Sequence, residues 1–347
     1  MSSPVPTAAG RAFACALGGT ILCCAAASAQ AQANVQVYGL VGSYFGSIKR
    51  SDNVDRTTVV GSGGLTTSWW GIRGSEDLGD GTKAIFQLEQ FFQPDTGGAG
   101  RSPTDPTGFS RSGWVGLSGS YGQLTIGRHT SPYYVSMQMV NPFGSSVVFS
   151  PLVVQSYVGS FSNTVIGDTV WNNVIQYVAP TVGGLSTTIV YAPGEVAGNS
   201  SVNNAGVHLR YVHDKLTAVL SAQRVRTAAV APSTGQEAYL AGMAYDAGWA
   251  KLYASAQATD NAVTDIRSRT WQLGTSVPVT AGGSILASWA HTTQDNPKAV
   301  VGAHDTAGLG YDYFMSRRTD VYLTYLYDHI EGKIKGNSYA LGIRHTF

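Results

Sequence analysis

Seven histidines (His129, His208, His213, His291, His304, His329 and His345) are the side chains of this 347-residue chain best suited to proton transfer or metal ligation. A lipid hydrolase needs a serine within reach of such a base, and none of the seven belongs to a motif with a recognisable nucleophile. His129, in "TIGRHT", has no second His or Cys at ligand spacing. No metal and no other cofactor is expected, and an enzyme is the weaker reading. The remaining candidates are charges. Arg73, Arg210 and Arg344 fall on the polar parity of alternating segments, and Arg128 stands beside His129. Whether such residues form a weak basic track or stand as solvated charges depends on the elements that carry them.

Strands must position them. "TWQLGTSV" puts Trp271, Leu273, Thr275 and Val277 on one face and Thr270, Gln272, Gly274 and Ser276 on the other. The same alternation predicts strands at 34–48, 64–74, 82–93, 109–119, 122–129, 171–179, 184–192 and 203–213. It predicts eight more at 215–226, 235–246, 249–259, 268–278, 283–293, 303–315, 319–330 and 336–347. Each is near the 9–11 residues with which a tilted strand crosses a bilayer. Short turns such as "SGSYG" and "MSRRT" alternate with long polar stretches such as 49–60, 94–108, 193–202 and 294–302. An even strand count with short turns at one end and long loops at the other predicts an all-β, sixteen-stranded transmembrane antiparallel barrel. In the last strand Tyr339, Leu341, Ile343 and Phe347 share one parity to the chain's end. Closing onto the first strand satisfies that edge and puts Phe347 in a periplasmic aromatic girdle.

Composition agrees. Lys and Arg total 22 against 21 Asp and Glu, so no nucleic-acid partner is expected. Only 12% of residues are charged, too few for a sheet protein fully surrounded by water. Residues 1–31 read as a secretory signal peptide: Arg11, then an apolar run, then Ala-x-Ala sites, with cleavage favoured after Ala31. All three cysteines (Cys15, Cys23, Cys24) lie in this leader. The barrel domain is then 32–347, free of cysteine, and an envelope location follows.

One connection is out of scale. From Thr130 to about Val170 the chain is too aromatic and aliphatic to stand in water. It is expected to fold inward, pack against the barrel wall and narrow the lumen, with "NPFG" (Asn141, Pro142, Phe143, Gly144) as its tip.

"GIRGSEDLGDGTKAIFQLEQFF", "SRSGWVGLSGSYGQLTIGRHTSPYY", "NPFG", "QYVAPTVGGL", "SRRTDVYLTY" and the terminal "RHTF" occur in an order that resembles the trimeric, sixteen-stranded general porins of Gram-negative outer membranes, the β-proteobacterial branch above all. The resemblance covers nearly all of the chain after the leader. It implies passive diffusion of small hydrophilic solutes and ions through an eyelet, where wall arginines face acids of the inward loop. It also implies a homotrimer, outer-membrane lipid around the barrel, and a C-terminal signal for the barrel-assembly machinery carried by Tyr339, Ile343 and Phe347. By position, Arg111 matches an eyelet arginine and Glu89 an eyelet acid. Val115 and Leu117 facing lipid would turn Arg111 outward on strict alternation. Trp114 facing lipid would turn it inward, and the cost of an arginine in lipid, about 2–4 kcal/mol at the midplane, favours the lumen.

The chain departs from that family in its charges. Trp69 stands where many relatives carry an eyelet arginine, and Asn141 where an acid often precedes Pro-Phe-Gly. No arginine occurs between Arg128 and Arg210, and no acid between Asp105 and Asp168. A weaker transverse field is expected. The alternative is a substrate-specific channel with a saturable site near Trp69 and the inward loop.

Overall fold

A computed structural model describes residues 34–347 except 103, 106, 159–163, 196, 198–201 and 228–233; the expected leader lies outside these. The first strands are β1 (Asn34–Ile48), β2 (Thr57–Ser62), β3 (Trp69–Gly79), β4 (Thr82–Gln93), β5 (Gly98–Ala99), β6 (Ser112–Gly119) and β7 (Gly122–Thr130). Two short helices follow, α1 (Pro132–Met139) and α2 (Pro151–Tyr157). Then come β8 (Val170–Val178), β9 (Leu185–Ala192), β10 (Asn204–His213), β11 (Leu216–Thr227), β12 (Thr234–Asp246) and β13 (Lys251–Asn261). The last are β14 (Ile266–Pro278), β15 (Gly283–Asp295), β16 (His304–Phe314), β17 (Thr319–Ile330) and β18 (Gly336–Thr346).

Neighbouring strands pair antiparallel, and β18 pairs back onto β1, from Leu40 opposite Thr346 to Ser47 opposite Tyr339. Beyond the ladder, the Phe347 amide donates to Gly39 O (3.0 Å) and the Gly39 amide to Phe347 O (3.2 Å), so the terminal residue is held by the first strand. β2 and β3 pair with the second and first halves of β1, which makes them two pieces of one stave. β5 pairs only with the end of β4, in a loop. Eighteen strands less β5 and the β2/β3 split leave sixteen staves in a closed barrel.

The split stave is where the expected strand at 64–74 departs from the structure. Gly63 (φ +78) and Gly64 (φ +95) adopt a backbone that side-chain-bearing residues avoid. They turn residues 63–68 off the wall and inward. There Leu65 is buried, the Tyr322 hydroxyl donates to Gly63 O (2.8 Å), and Ser68 Oγ accepts from the Gly42 amide (3.0 Å).

The two faces invert the usual order of a protein in water. On β14, Trp271 and Leu273 are each 58% exposed, whereas Thr270 and Gln272 are each 1% exposed. The outer surface is therefore an apolar band, which is stable against hydrocarbon rather than water. The polar inner face is covered in part by the segment between β7 and β8. Both of its helices begin at a Ser-Pro pair, proline fitting the first helical turn where its missing N–H costs nothing. α1 lies against β10, β11 and β12, and α2 against β14, β15 and β16. Glycines make the room: a Cβ on Gly274 would stand 2.7 Å from Pro142 Cδ, and one on Gly308 3.1 Å from the Phe143 ring.

Candidate functional site

Sheet register sets β3, β4 and the start of β6 side by side: Gly71 is opposite Glu89, and Glu89 is opposite Ser112. The result is a cluster on the inner wall. Arg111 forms an ion pair with Glu89, and its guanidinium lies 4.2 Å from the centre of the Trp69 ring. Glu89 is 2% exposed and also accepts from the Tyr38 hydroxyl (2.7 Å). Tyr38 meets Trp69 edge-on at 5.1 Å, and the Arg73 guanidinium, held by the Gln36 side-chain oxygen, lies 4.5 Å from the centre of the Tyr38 ring. Arg111, Glu89, Trp69 and Arg73, expected from the sequence, are thus brought together, with Tyr38 as the missed member. Tyr38 shares the inward parity of Gln36, which could have indicated it.

Arg111 faces the lumen, but not for the reason that alternation offered. Val115 and Leu117 face outward, at 61% and 43% exposure, and Trp114 faces inward, stacked on His129 at 5.5 Å. β6 begins only at Ser112. Ahead of it the alternation is broken, with Phe109 at φ 45, and that irregular stretch lets Arg111 point inward beside an inward Trp114. A hollow of about 300 Å³ borders Arg111 and Glu89 on one side and Pro132 and Val135 of α1 on the other.

A second charge cluster was only half visible. Arg128 donates to Ser110 O (2.9 Å) and to Asn172, and lies 3.9 Å from Asp168. Arg101, from the β5 loop, makes a two-pronged pair with Asp168 (Nη1 to Oδ1, 2.7 Å) and reaches Asp105 (3.2 Å). Arg101 and Asp168 lie 67 residues apart, in stretches without periodicity, so no sequence signal joined them. Burial alone would raise the Asp168 carboxyl, but the hydrogen bonds and charge of Arg101, with Arg128 behind, hold it below the ordinary aspartate range. A depressed carboxyl keeps its pairing above its ordinary value and loses it as pH falls through the lowered one. Acidifying the bath through that lowered value, which lies below the ordinary 3.8, should therefore release the hold of Asp168 on Arg101 and Arg128 and raise anion preference, by about twofold. Reversal potentials in a salt gradient check this, and Asp168→Asn should remove the acid step.

Asn141 and Phe143 are each 3% exposed, so they fasten the inward segment and do not border open channel, a correction to their expected place in the constriction. Asn141 Nδ2 donates to Met137 O (2.7 Å) and Gly144 O (2.9 Å), and its Oδ1 accepts from the Phe143 amide (2.9 Å). Phe143 belongs to a buried cluster with Phe149, Tyr322 and Leu326. Pro142, against Gly274, and Gly144 (φ +53) complete the same turn. Arg344 is inward but spoken for: Nε donates to Asp320 (2.9 Å) and Nη2 to Asp312 (3.2 Å). Arg210 shares the inward parity of His208 and donates to Ser186 Oγ (3.2 Å). Ser136 of α1 shares a hydrogen bond with His208 Nδ1, a contact that could pass for a nucleophile and its base. Ser136 is fully buried and its hydroxyl donates to Pro132 O (2.9 Å), so it ties α1 to the wall. Tyr339, Ile343 and Phe347 all point outward, at 44–49% exposure. Among the described residues, no three His, Cys, Asp or Glu side chains converge as metal ligands.

A family model described as Gram-negative porin matches residues 18–333. Outer membrane porin protein 32 of Delftia acidovorans is 29% identical over 309 residues, covering 86% of this chain and 84% of its own. An outer membrane porin protein of Bordetella pertussis is 28% identical, covering 95% and 99%. Among solved structures, an anion-selective porin from Comamonas acidovorans superposes with a TM-score of 0.76 at 26% identity, over 91% of this chain and all of that one. OmpF of Salmonella typhi, at 16% identity and a TM-score of 0.65, shares the fold.

Proposed function

This chain belongs to the Gram-negative porin family, and on that premise we propose that its eyelet is charge-compensated and filters solutes weakly. The protein is an outer-membrane channel for passive diffusion of small hydrophilic solutes and ions. The observation that carries the finer reading is the pairing of its inner arginines. Arg111 is matched by Glu89, Arg101 and Arg128 by Asp105 and Asp168, and Arg344 by Asp312 and Asp320. A charge paired at contact distance contributes little field across a water-filled gap.

Arg73, Arg210 and Arg50 are inner arginines with no carboxylate at contact distance among the described residues; their polar partners are an amide oxygen, a hydroxyl and the Val148 carbonyl oxygen. They leave a small positive excess, and one solved relative is named as anion-selective. The net expectation is a mild preference for anions. Three copies per assembly are proposed on the family resemblance, with outer-membrane lipid around them. Delivery by the barrel-assembly machinery through Tyr339, Ile343 and Phe347, after cleavage at Ala31, is proposed on the same ground.

Single-channel conductance of the purified native oligomer in a planar bilayer, with a salt gradient, tests the reading. Large steps in threes with a weak anion preference support it. Strong, salt-sensitive selectivity would refute the compensated eyelet, and saturable block by one solute would move the assignment to a substrate-specific channel.

A further inference from the structure

The outer wall carries an arginine that neither the channel nor the barrel uses. Arg269 lies on the lipid-facing parity of β14, two residues from Trp271, and is exposed. Its cross-strand neighbours in register are Ala258 and Thr293, neither of which carries charge. The row nearer the long-loop end is different. There Arg224, Glu237, Asp260, Arg267 and Asp295 follow one another in register from β11 to β15. Within it Arg267 holds Asp260 (3.1 Å), and Glu237 accepts from the Tyr239 hydroxyl (2.7 Å). Arg269 sits one row deeper, towards the hydrocarbon.

Arg269 also stands at the end of a trough. A hollow of about 520 Å³ on the outer wall is bordered by Arg269, Tyr239 and Trp271 and includes Ala222, Ala256 and Ala258 in its lining. It shares Leu220, Ala241, Ala256 and Trp271 with a second hollow of about 830 Å³, which runs on past Ala254 towards Leu273 and Trp289. Short alanines between large flanking rings leave an elongated apolar channel along the wall. One cation stands at its outer end.

We propose that this trough is a binding site for a phosphorylated, acylated lipid of the outer leaflet, its acyl chain along the alanines and its phosphate on Arg269. An arginine facing hydrocarbon is unfavourable unless an anion meets it. The long-loop end of a porin faces outward, which puts Arg269 near the depth of outer-leaflet headgroups. The occupant is therefore argued from charge complementarity, from the direction of the trough and from its depth. The acids of the outer row are already engaged or lie beyond Arg269, so the phosphate need not approach them.

The test uses the folded full-length protein, stripped of lipid in an uncharged detergent and examined by native mass spectrometry. The probes are a bis-phosphorylated acylated disaccharide lipid, its dephosphorylated form, and phosphatidylglycerol. The phosphorylated disaccharide lipid should bind. Arg269→Gln should weaken it about tenfold, the worth of one charge-assisted contact. Ala256→Leu, which fills the trough, should weaken it with Arg269 still present. Unchanged single-channel conductance shows that each variant is folded, and it keeps failure of this site separate from failure of the porin reading. Equal binding of the dephosphorylated lipid, or no change in Arg269→Gln, overturns the proposal. Tighter binding of phosphatidylglycerol than of the disaccharide lipid overturns the assignment to an outer-leaflet lipid. Dissociation of the oligomer by Arg269→Gln, with lipid binding unchanged, overturns it in favour of a contact between copies.

Discussion

Glu89→Gln is expected to turn a weakly selective channel into a clearly anion-selective one. Glu89 is the carboxylate against which Arg111 is neutralised, and both sit on the wall facing α1. Glutamine keeps the shape and can still accept from Tyr38, so the cluster should hold. Arg111 would keep its stack on Trp69, a contact worth about 1 kcal/mol, and would present its full charge to the passage. At a few ångströms in a half-aqueous setting one unit charge is worth about 1 kcal/mol to a passing ion. That is about a fivefold gain in the chloride-to-potassium permeability ratio, read from the reversal potential. High salt should shrink the gain, because the passage is wet. A ratio unchanged within twofold would mean that the Arg111–Glu89 pair lies off the ion path. Arg111→Gln tests the opposite sign. It leaves Glu89, 2% exposed, without its cation. Breaking a buried pair from one side costs about 3 kcal/mol or more, so a lower melting temperature should accompany a shift towards cations.

The barrel was legible because each strand has water on one side and lipid on the other. That contrast writes period two into every segment, as in Thr270 to Val277, and the short turns separate the segments. The pattern fails where a residue leaves the sheet. Most of Thr57–Ser62 lay in 49–60, a stretch read as polar loop, because the stave it belongs to is interrupted by the inward turn at Gly63 and Gly64. Arg111 precedes β6 and so escapes the parity that Val115 and Trp114 obey. The two inner helices are 8 and 7 residues long and enclosed on most sides, so they carry no helical stripe to read. Their Ser-Pro starts were the available signal. Which charges meet was illegible for a different reason. Arg101 and Asp168 are joined by loop geometry, and Arg344 reaches Asp312 and Asp320 across two staves. Alternation can put an arginine on the lumen face; only the neighbouring staves show whether its field survives there.

Gln155→Leu should loosen the inward segment while leaving the barrel standing. Gln155 is fully buried on α2, and its amide nitrogen donates to Ala290 O (3.0 Å), His304 O (2.9 Å) and Thr306 Oγ1 (3.0 Å). Its oxygen accepts from Thr292 Oγ1 (2.6 Å). One side chain therefore ties α2 to β15 and β16. Leucine has nearly the same volume, so little space opens, but buried polar groups on the wall lose their partner. Each such loss costs about 1–3 kcal/mol, and with several at one site the total should reach about 4 kcal/mol. The closed ladder from β1 to β18 carries the barrel's own stability and contains none of these bonds, so the melting temperature of the barrel should hardly move. The loss should appear as noisier open-channel current, a conductance larger by about a third, and new protease cuts within 132–169. Those three changes share one cause: a segment pinned by Gln155, Asn141 and Phe143 gives a fixed aperture, and one pinned by fewer groups gives a fluctuating aperture. Quiet current and an uncut segment in Gln155→Leu would show that Asn141, Phe143 and the glycine-floored contacts at Gly274 and Gly308 suffice to hold it.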